Sequence, residues 1–102
     1  MPTPESHGRD PGLLVLISLA DGPKHGHAIL QDVTDFAGVR MGPGTLYGAL
    51  ARLEETGWIL ALPPEGRRRP YRLTKTGAAA LRRRLSGLDT AVRVGLGRIS
   101  AT

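Results

Sequence analysis

Three consecutive arginines, Arg67, Arg68 and Arg69, follow directly on the turn-forming run Pro63-Pro64-Glu65-Gly66. Guanidinium groups at the tip of a turn reach phosphate oxygens readily, because each presents a planar fork of N–H donors. A solvated basic loop is the other reading of the same run. A second group lies between Gly42 and Leu60, where Gly44, Thr45, Tyr47, Gly48 and Arg52 fall on or beside one arc of a helix. Small residues followed by an arginine make a surface smooth enough for the major groove of DNA, which admits one helix and meets its N-terminal residues first. Arg52 is then the candidate guanine reader, and Tyr47, at the edge of the arc, a candidate donor to phosphate. An ordinary amphipathic helix with a poor solvent face has the same pattern. His25-x-His27 invites a metal, but no third ligand of suitable type lies nearby in sequence and zinc takes three or four. These histidines read as capping or packing residues.

Catalytic chemistry finds no support. Gly42-Pro43-Gly44 lacks the spacing and the preceding strand of a dinucleotide fingerprint, and no nucleophile has a plausible base. The absence of cysteine removes a catalytic thiol, a thiolate metal site and a disulfide framework. A chain of 102 residues is one domain, and 40% hydrophobic content gives it a modest core with little room for an enzyme cleft. No enzyme activity, cofactor or metal is expected. No apolar run approaches the roughly 20 residues of a membrane span, and the N-terminus lacks a basic-then-apolar signal pattern. The expected setting is the cytoplasm, on the nucleoid.

Charge is polarised along the chain. The net charge is +5, yet up to Gly66 four basic residues face eight acidic ones, whereas from Arg67 onward ten basic residues face Asp89 alone. Nucleic acid and an anionic membrane surface both attract such a segment. Arginine outnumbers lysine twelve to two, which suits bidentate phosphate and guanine contacts and is equally what a GC-rich genome produces.

The elements that position these residues follow from periodicity and punctuation. Residues 1–10 are rich in Pro, Ser, Gly and charge, so they read as a disordered arm, with His7 and Arg9 as minor candidates for DNA contact. Asp10 and Pro11 open a first helix whose run Leu13, Leu14, Val15, Leu16, Ile17 and Leu19 is apolar on most sides. A chain this small struggles to cover all of it, which points Leu13 and Leu16 toward a subunit interface. After the turn Asp21-Gly22-Pro23, a second helix carries Ile29, Val33 and Phe36 on one stripe and stops at Gly38. Pro43 opens the third helix and Gly57 closes it; Leu46, Leu50 and Leu53 are its core stripe. Helix, short turn and helix with small residues at the joint is the helix-turn-helix arrangement.

Trp58–Leu62 and Pro70–Leu73 read as strands, and their prolines place them in a two-stranded edge hairpin, a wing. Thr74 caps a last helix, in which Ala78, Leu81, Leu85, Leu88, Val92 and Ile99 keep a heptad seam with Gly95 filling the remaining position. That seam needs a partner, so Leu81, Leu85, Leu88 and Val92 join Leu13 and Leu16 as the expected dimer interface. Asp89 pairs with Arg84 across a parallel dimer or with Arg93 in its own helix. Gly87, Gly95 and Gly97 each weaken the helix by about 1 kcal/mol, so it is expected to be firm to Arg93 and to fray or bend beyond. The fold class is mainly α with a small β-hairpin: a winged helix-turn-helix over residues 11–74, then a dimerisation helix over 75–102.

Three blocks, LADGPKHGHAI over Leu19–Ile29, GPGTLYGALARLEETGWI over Gly42–Ile59 and RRPYRLT over Arg68–Thr74, resemble the motifs of PadR-like winged-helix transcriptional regulators. The similarity runs from about Leu13 to Leu85, and it is the three blocks in this order that make it specific. The resemblance implies a homodimeric repressor of bacteria or archaea, with the helix from Pro43 in the major groove and the wing on the flanking backbone. The short last helix is similar to that of the small subfamily that dimerises through it. The chain departs from the family at His27, where members usually carry Tyr. Some small members hold flat aromatic ligands between aromatic residues of the paired last helices; here no aromatic residue lies beyond Tyr71, so an inducer pocket of that type is not expected and any small-molecule effector is left unidentified. The implied function is sequence-specific binding of double-stranded DNA at a palindromic operator. A winged-helix protein-interaction module without specific DNA binding is the alternative.

Overall fold

The computed structural model describes residues 10–102, so the expected arm lies outside the described residues except for Asp10, as do His7 and Arg9. Seven elements follow in order: α1 (Pro11–Leu19), β1 (Lys24–His25), α2 (Gly26–Ala37), α3 (Pro43–Glu55), β2 (Ile59–Ala61), β3 (Pro70–Leu73) and α4 (Lys75–Ser100).

The core is built around α1. Asp10 caps it, its carboxylate accepting from the N–H groups of Gly12 (2.9 Å) and Leu13 (3.3 Å), and Pro11 takes the position where a missing N–H is harmless. α2, α3, α4 and β3 all pack against this one helix, which is why its sequence is apolar on most sides. Leu13 and Leu16 are 3% and 1% exposed, and Leu81 of α4 is 5% exposed, so the chain's own elements cover them. The expected interface residues therefore divide. Leu13, Leu16 and Leu81 are core, with little surface left for a second copy, while Leu88 is half-buried and Leu85 and Val92 are exposed. The small chain covers α1 because that helix is central rather than peripheral.

α2 and α3 form the helix-turn-helix. Ile29 and Val33 of α2 and Leu46, Ala49, Leu50 and Leu53 of α3 enter the core, but Phe36 on the last turn of α2 is 45% exposed and stands outside it. Gly38 ends α2 in the left-handed region at φ 67°, and the Thr34 hydroxyl lies 3.2 Å from the Val39 carbonyl of the loop leading to α3.

The wing differs from the expected two-stranded hairpin. The sheet has three antiparallel strands in the order β1-β3-β2, with Lys24 opposite Tyr71, His25 opposite Pro70, and Ile59, Leu60 and Ala61 opposite Leu73, Arg72 and Tyr71. β3 is central, and Pro70 is tolerated there because it is the first residue of the strand, where its carbonyl still accepts from the Leu62 N–H (2.8 Å).

α4 is a single unbroken helix to Ser100, longer than the sequence suggests. Three glycines do not interrupt a ladder in which every added residue adds a bond. Its start is locked to the wing. The Thr74 hydroxyl donates to the Gly57 carbonyl (2.7 Å) and caps the Gly77 N–H (3.0 Å), while the Thr74 N–H donates to the Trp58 carbonyl (3.0 Å). Beyond Leu88 the helix runs clear of the core, which stretches the molecule to 57 × 27 × 25 Å.

Candidate nucleic-acid interface

α3 turns its leucine stripe inward and leaves Gly44, Thr45, Tyr47, Ala51 and Arg52 on the outside, with Tyr47 57% exposed. The Arg52 guanidinium folds back along this arc over Gly48, 3.5 Å from where a Cβ on that residue would sit, an ordinary van der Waals distance. Side chains on a helix lean toward its N-terminus, so the charge of Arg52 is delivered to the N-terminal half, the part that enters a groove first.

The wing places its three arginines differently. The Glu65 N–H donates to the Arg68 carbonyl (2.7 Å) and the Arg68 N–H returns to Glu65 (3.0 Å), closing a two-residue turn over Gly66 and Arg67. Gly66 takes φ 64° at its first central position, a conformation tight hairpin turns require and side chains resist. Arg67 is thus at the tip, Arg68 reaches back to within 3.4 Å of His25 Nε2, and Arg69 donates to the Leu62 carbonyl (3.0 Å), stiffening the hairpin.

α3 and the wing meet at one cleft of about 180 Å³, lined by Tyr47 on one side, Arg67, Arg68 and Arg69 on another, and the start of α2 with His25, Gly26 and His27 between them; Tyr71 completes the lining. Burial pushes the Tyr71 phenol up, with the carboxylate of Glu54 and the nearby Tyr47 adding to the effect and Arg69 opposing it. His25 caps α2, its Nδ1 accepting from the Ala28 N–H (3.4 Å). Among the described residues no group of three or more His, Cys, Asp or Glu is placed to hold a metal.

Sequence reasoning missed the start of α2 as part of this surface. The missing link is β1, a two-residue strand with no periodicity of its own, whose pairing with β3 sets His25 beside the wing. The only sequence signal was the unusual run Lys24-His25-Gly26-His27.

Residues 14–83 match the model of the Transcriptional regulator PadR-like family. The chain belongs to this family. As a PadR-like regulator it is a winged-helix transcription regulator and not an enzyme. It is 39% identical over 93 residues to a transcriptional regulator of Mycobacterium tuberculosis, an alignment covering 88% of this chain and 86% of that one. It is 49% identical over 84 residues to an uncharacterized 37.1 kDa protein in transposon TN4556 of Streptomyces fradiae, covering 76% of this chain but only 24% of that protein, so the PadR-like chain spans about a quarter of that relative's length. In fold it is similar to a transcriptional regulator from Clostridium thermocellum, with a TM-score of 0.77 at 24% identity over 92% of this chain and 94% of that one.

Among the described residues, most of the exposed large apolar side chains of the PadR-like chain are on α4, while Phe36 of α2 and Leu60 of β2 stand apart. Leu85, Val92, Leu96 and Ile99 are 39%, 56%, 61% and 71% exposed. Leu96, absent from the heptad reading, belongs to this stripe because eleven residues make three turns of a straight helix and bring it under Leu85. Of the two pairings open to Asp89 the intrachain one is present: Asp89 contacts Arg93 (3.2 Å), and Arg84 is engaged by Asp10. Among the described residues no helix is long and apolar enough to cross a membrane.

Proposed function

We propose that this PadR-like regulator is a homodimeric repressor that binds a palindromic operator in double-stranded DNA, reading bases with α3 and holding the flanking phosphates with Arg67, Arg68 and Arg69. The observation that carries this reading is that Tyr47 of α3 and the wing arginines line one cleft, while Arg52 lies back over Gly48 on the same exposed helix. Reader and clamp then address one stretch of duplex together. Gly44 and Thr45 are the small first-turn residues that let the helix approach the bases.

The dimer forms through α4. The exposed stripe from Leu85 to Ile99 is too apolar to stay in water on a helix that has left its core, and a second copy of the same stripe covers it about a two-fold axis. Such a dimer presents two α3 helices to half-sites separated by about one helical turn of DNA or a multiple of it. Repression follows from occupancy of the operator, and the site of action is the cytoplasmic nucleoid. Regulation by a flat aromatic ligand held between α4 helices is not favoured, because no aromatic residue lies beyond Tyr71.

Selection of bound fragments from genomic DNA with the purified chain tests this. Enrichment of a two-fold symmetric motif is the expected result. A folded protein that enriches no motif would overturn the reading in favour of a protein-interaction module.

A further inference from the structure

Operator binding leaves one basic cluster unused. Arg82, Arg83 and Arg84 stand in succession on α4, a helix that departs from the C-terminal end of α3, opposite the end that meets a groove, and none of the three lines the cleft between α3 and the wing. Arg84 is engaged by Asp10, whereas Arg82 and Arg83 have no carboxylate partner among the described residues. Leu85 and Ser86 follow directly, so the three guanidinium groups precede a hydroxyl by two, three and four residues. Charges at fixed offsets from a hydroxyl are what the acidic substrate groove of a basic-directed serine/threonine kinase binds.

The surroundings of Ser86 suit a phosphate acceptor. The Thr90 and Ser100 hydroxyls each donate to the carbonyl one turn back, but among the described residues that of Ser86 has no such bond. It opens instead on a groove of about 320 Å³ lined by Arg82, Ser86, Leu81 and Leu85 of α4 and by Leu73 of β3, which leaves room for a phosphoryl group. A kinase takes its substrate extended, so α4 must open around the site. Arg82 to Gly87 are six consecutive exposed residues, and Gly87 weakens the helix beside the hydroxyl, so opening there disturbs little of the core.

We propose that Ser86 is a phosphorylation site and that its modification opens the α4 dimer. The bond from Ser86 Oγ to the γ-phosphorus of ATP forms as the bond from that phosphorus to the bridging oxygen breaks; ADP leaves, and the hydroxyl proton passes to the catalytic base of the kinase. The product carries about two negative charges. Arg82 and Arg83, one turn back, hold it on the helix surface. A hydrated dianion then stands beside Leu85, where the exposed apolar stripe begins, and a second copy can cover the stripe there only by stripping its water. The switch rests on the α4 dimer proposed above; the site itself does not.

The experiment incubates the full chain with magnesium, ATP and the catalytic subunit of cyclic-AMP-dependent protein kinase as the basic-directed probe, and maps the product by mass spectrometry. Phosphate on Ser86 is expected. Ser86→Ala should take none, and Arg83→Ala should react about tenfold more slowly, the size of a lost charge-assisted contact. Gly87→Ala should react up to about fivefold more slowly, because a firmer helix opens less often. The phosphorylated chain is expected to scatter light as a monomer at a concentration where the unmodified chain is a dimer, and to bind the selected operator about tenfold or more weakly once the two half-sites are no longer linked, with a phosphatase reversing both. Phosphate on another hydroxyl instead, or none at all, would overturn the site. Phosphate on Ser86 that leaves the dimer and the operator affinity unchanged would overturn the switch. An unmodified chain that is already monomeric would overturn the dimer reading, and the switch with it, whatever happens at Ser86.

Discussion

Replacing Gly77 by alanine should damage the protein out of proportion to one methyl group. A Cβ at this position lies 2.0 Å from the Trp58 carbonyl oxygen, 2.8 Å from its carbon and 3.0 Å from Leu73 Cδ1, well inside the ~3.5–4.0 Å at which carbon atoms pack. Two of the three atoms are backbone, so the start of α4 must move. That movement breaks the Thr74 N–H bond to Trp58 and the Thr74 cap on Gly77 (both 3.0 Å). Overpacking costs about 1–3 kcal/mol and a lost cap about 1 kcal/mol, against a gain of about 1 kcal/mol from the better helix propensity of alanine. The net loss is about 1–3 kcal/mol, or roughly 5–20 °C in melting temperature for a domain of this size. Thermal and urea unfolding followed by circular dichroism measure it, at one protein concentration because the proposed dimer would make the midpoint concentration-dependent. Gly87→Ala is the control: nothing lies within 4 Å of its Cβ, and it should stabilise by up to about 1 kcal/mol. A Gly77→Ala protein that melts at or above the wild-type temperature would refute the claim that α4 is locked onto the wing by direct contact.

Two further outcomes follow, one from the cap of α1 and one from the exposed half of α4. Burial pulls the Asp10 carboxyl up, but the Arg84 guanidinium and the Leu13 and Gly12 N–H groups outweigh it and hold the group below its usual 3.8. A depressed carboxylate contributes stability above the unfolded value and loses it as pH falls through the folded one, so Asp10→Asn should be less stable near neutral pH and should lose less stability than the wild type on acidification below 3.8; parallel acid-unfolding curves would contradict this. On α4, Leu96→Asp places a charge on a side chain that is 61% exposed in the single chain, so it should dissociate the proposed dimer without unfolding the winged helix. Light scattering that still shows a dimer would remove α4 as the interface.

Most of the fold was legible because it is written in local signals. The caps at Asp10 and Thr74, the stops at Gly38 and Gly57, and the leucine stripe of α3 each need only neighbours in sequence to be read. What was not legible depends on tertiary pairing. β1 exists only because β3 comes back to meet it, so nothing beyond the unusual run Lys24-His25-Gly26-His27 marked His25 and Gly26 as part of the cleft. The covering of Leu13 and Leu16 likewise depends on α1 being central, and an apolar run alone does not say whether its own chain or a second copy covers it. The different placements of Arg67, Arg68 and Arg69 come from the two-residue turn, which sends adjacent side chains in different directions.

If α3 reads bases while the wing holds phosphates, the affinities of Arg52→Ala and Arg67→Ala for the selected operator and for random DNA across a salt series separate the two roles. Arg52→Ala should lose about 1–3 kcal/mol on the operator and little on random DNA, because a base contact matters only where the right base is present. Arg67→Ala should weaken binding to both and lower the salt slope by about one unit. Equal losses on both DNAs for Arg52→Ala, together with an altered base preference for Arg67→Ala, would contradict the account.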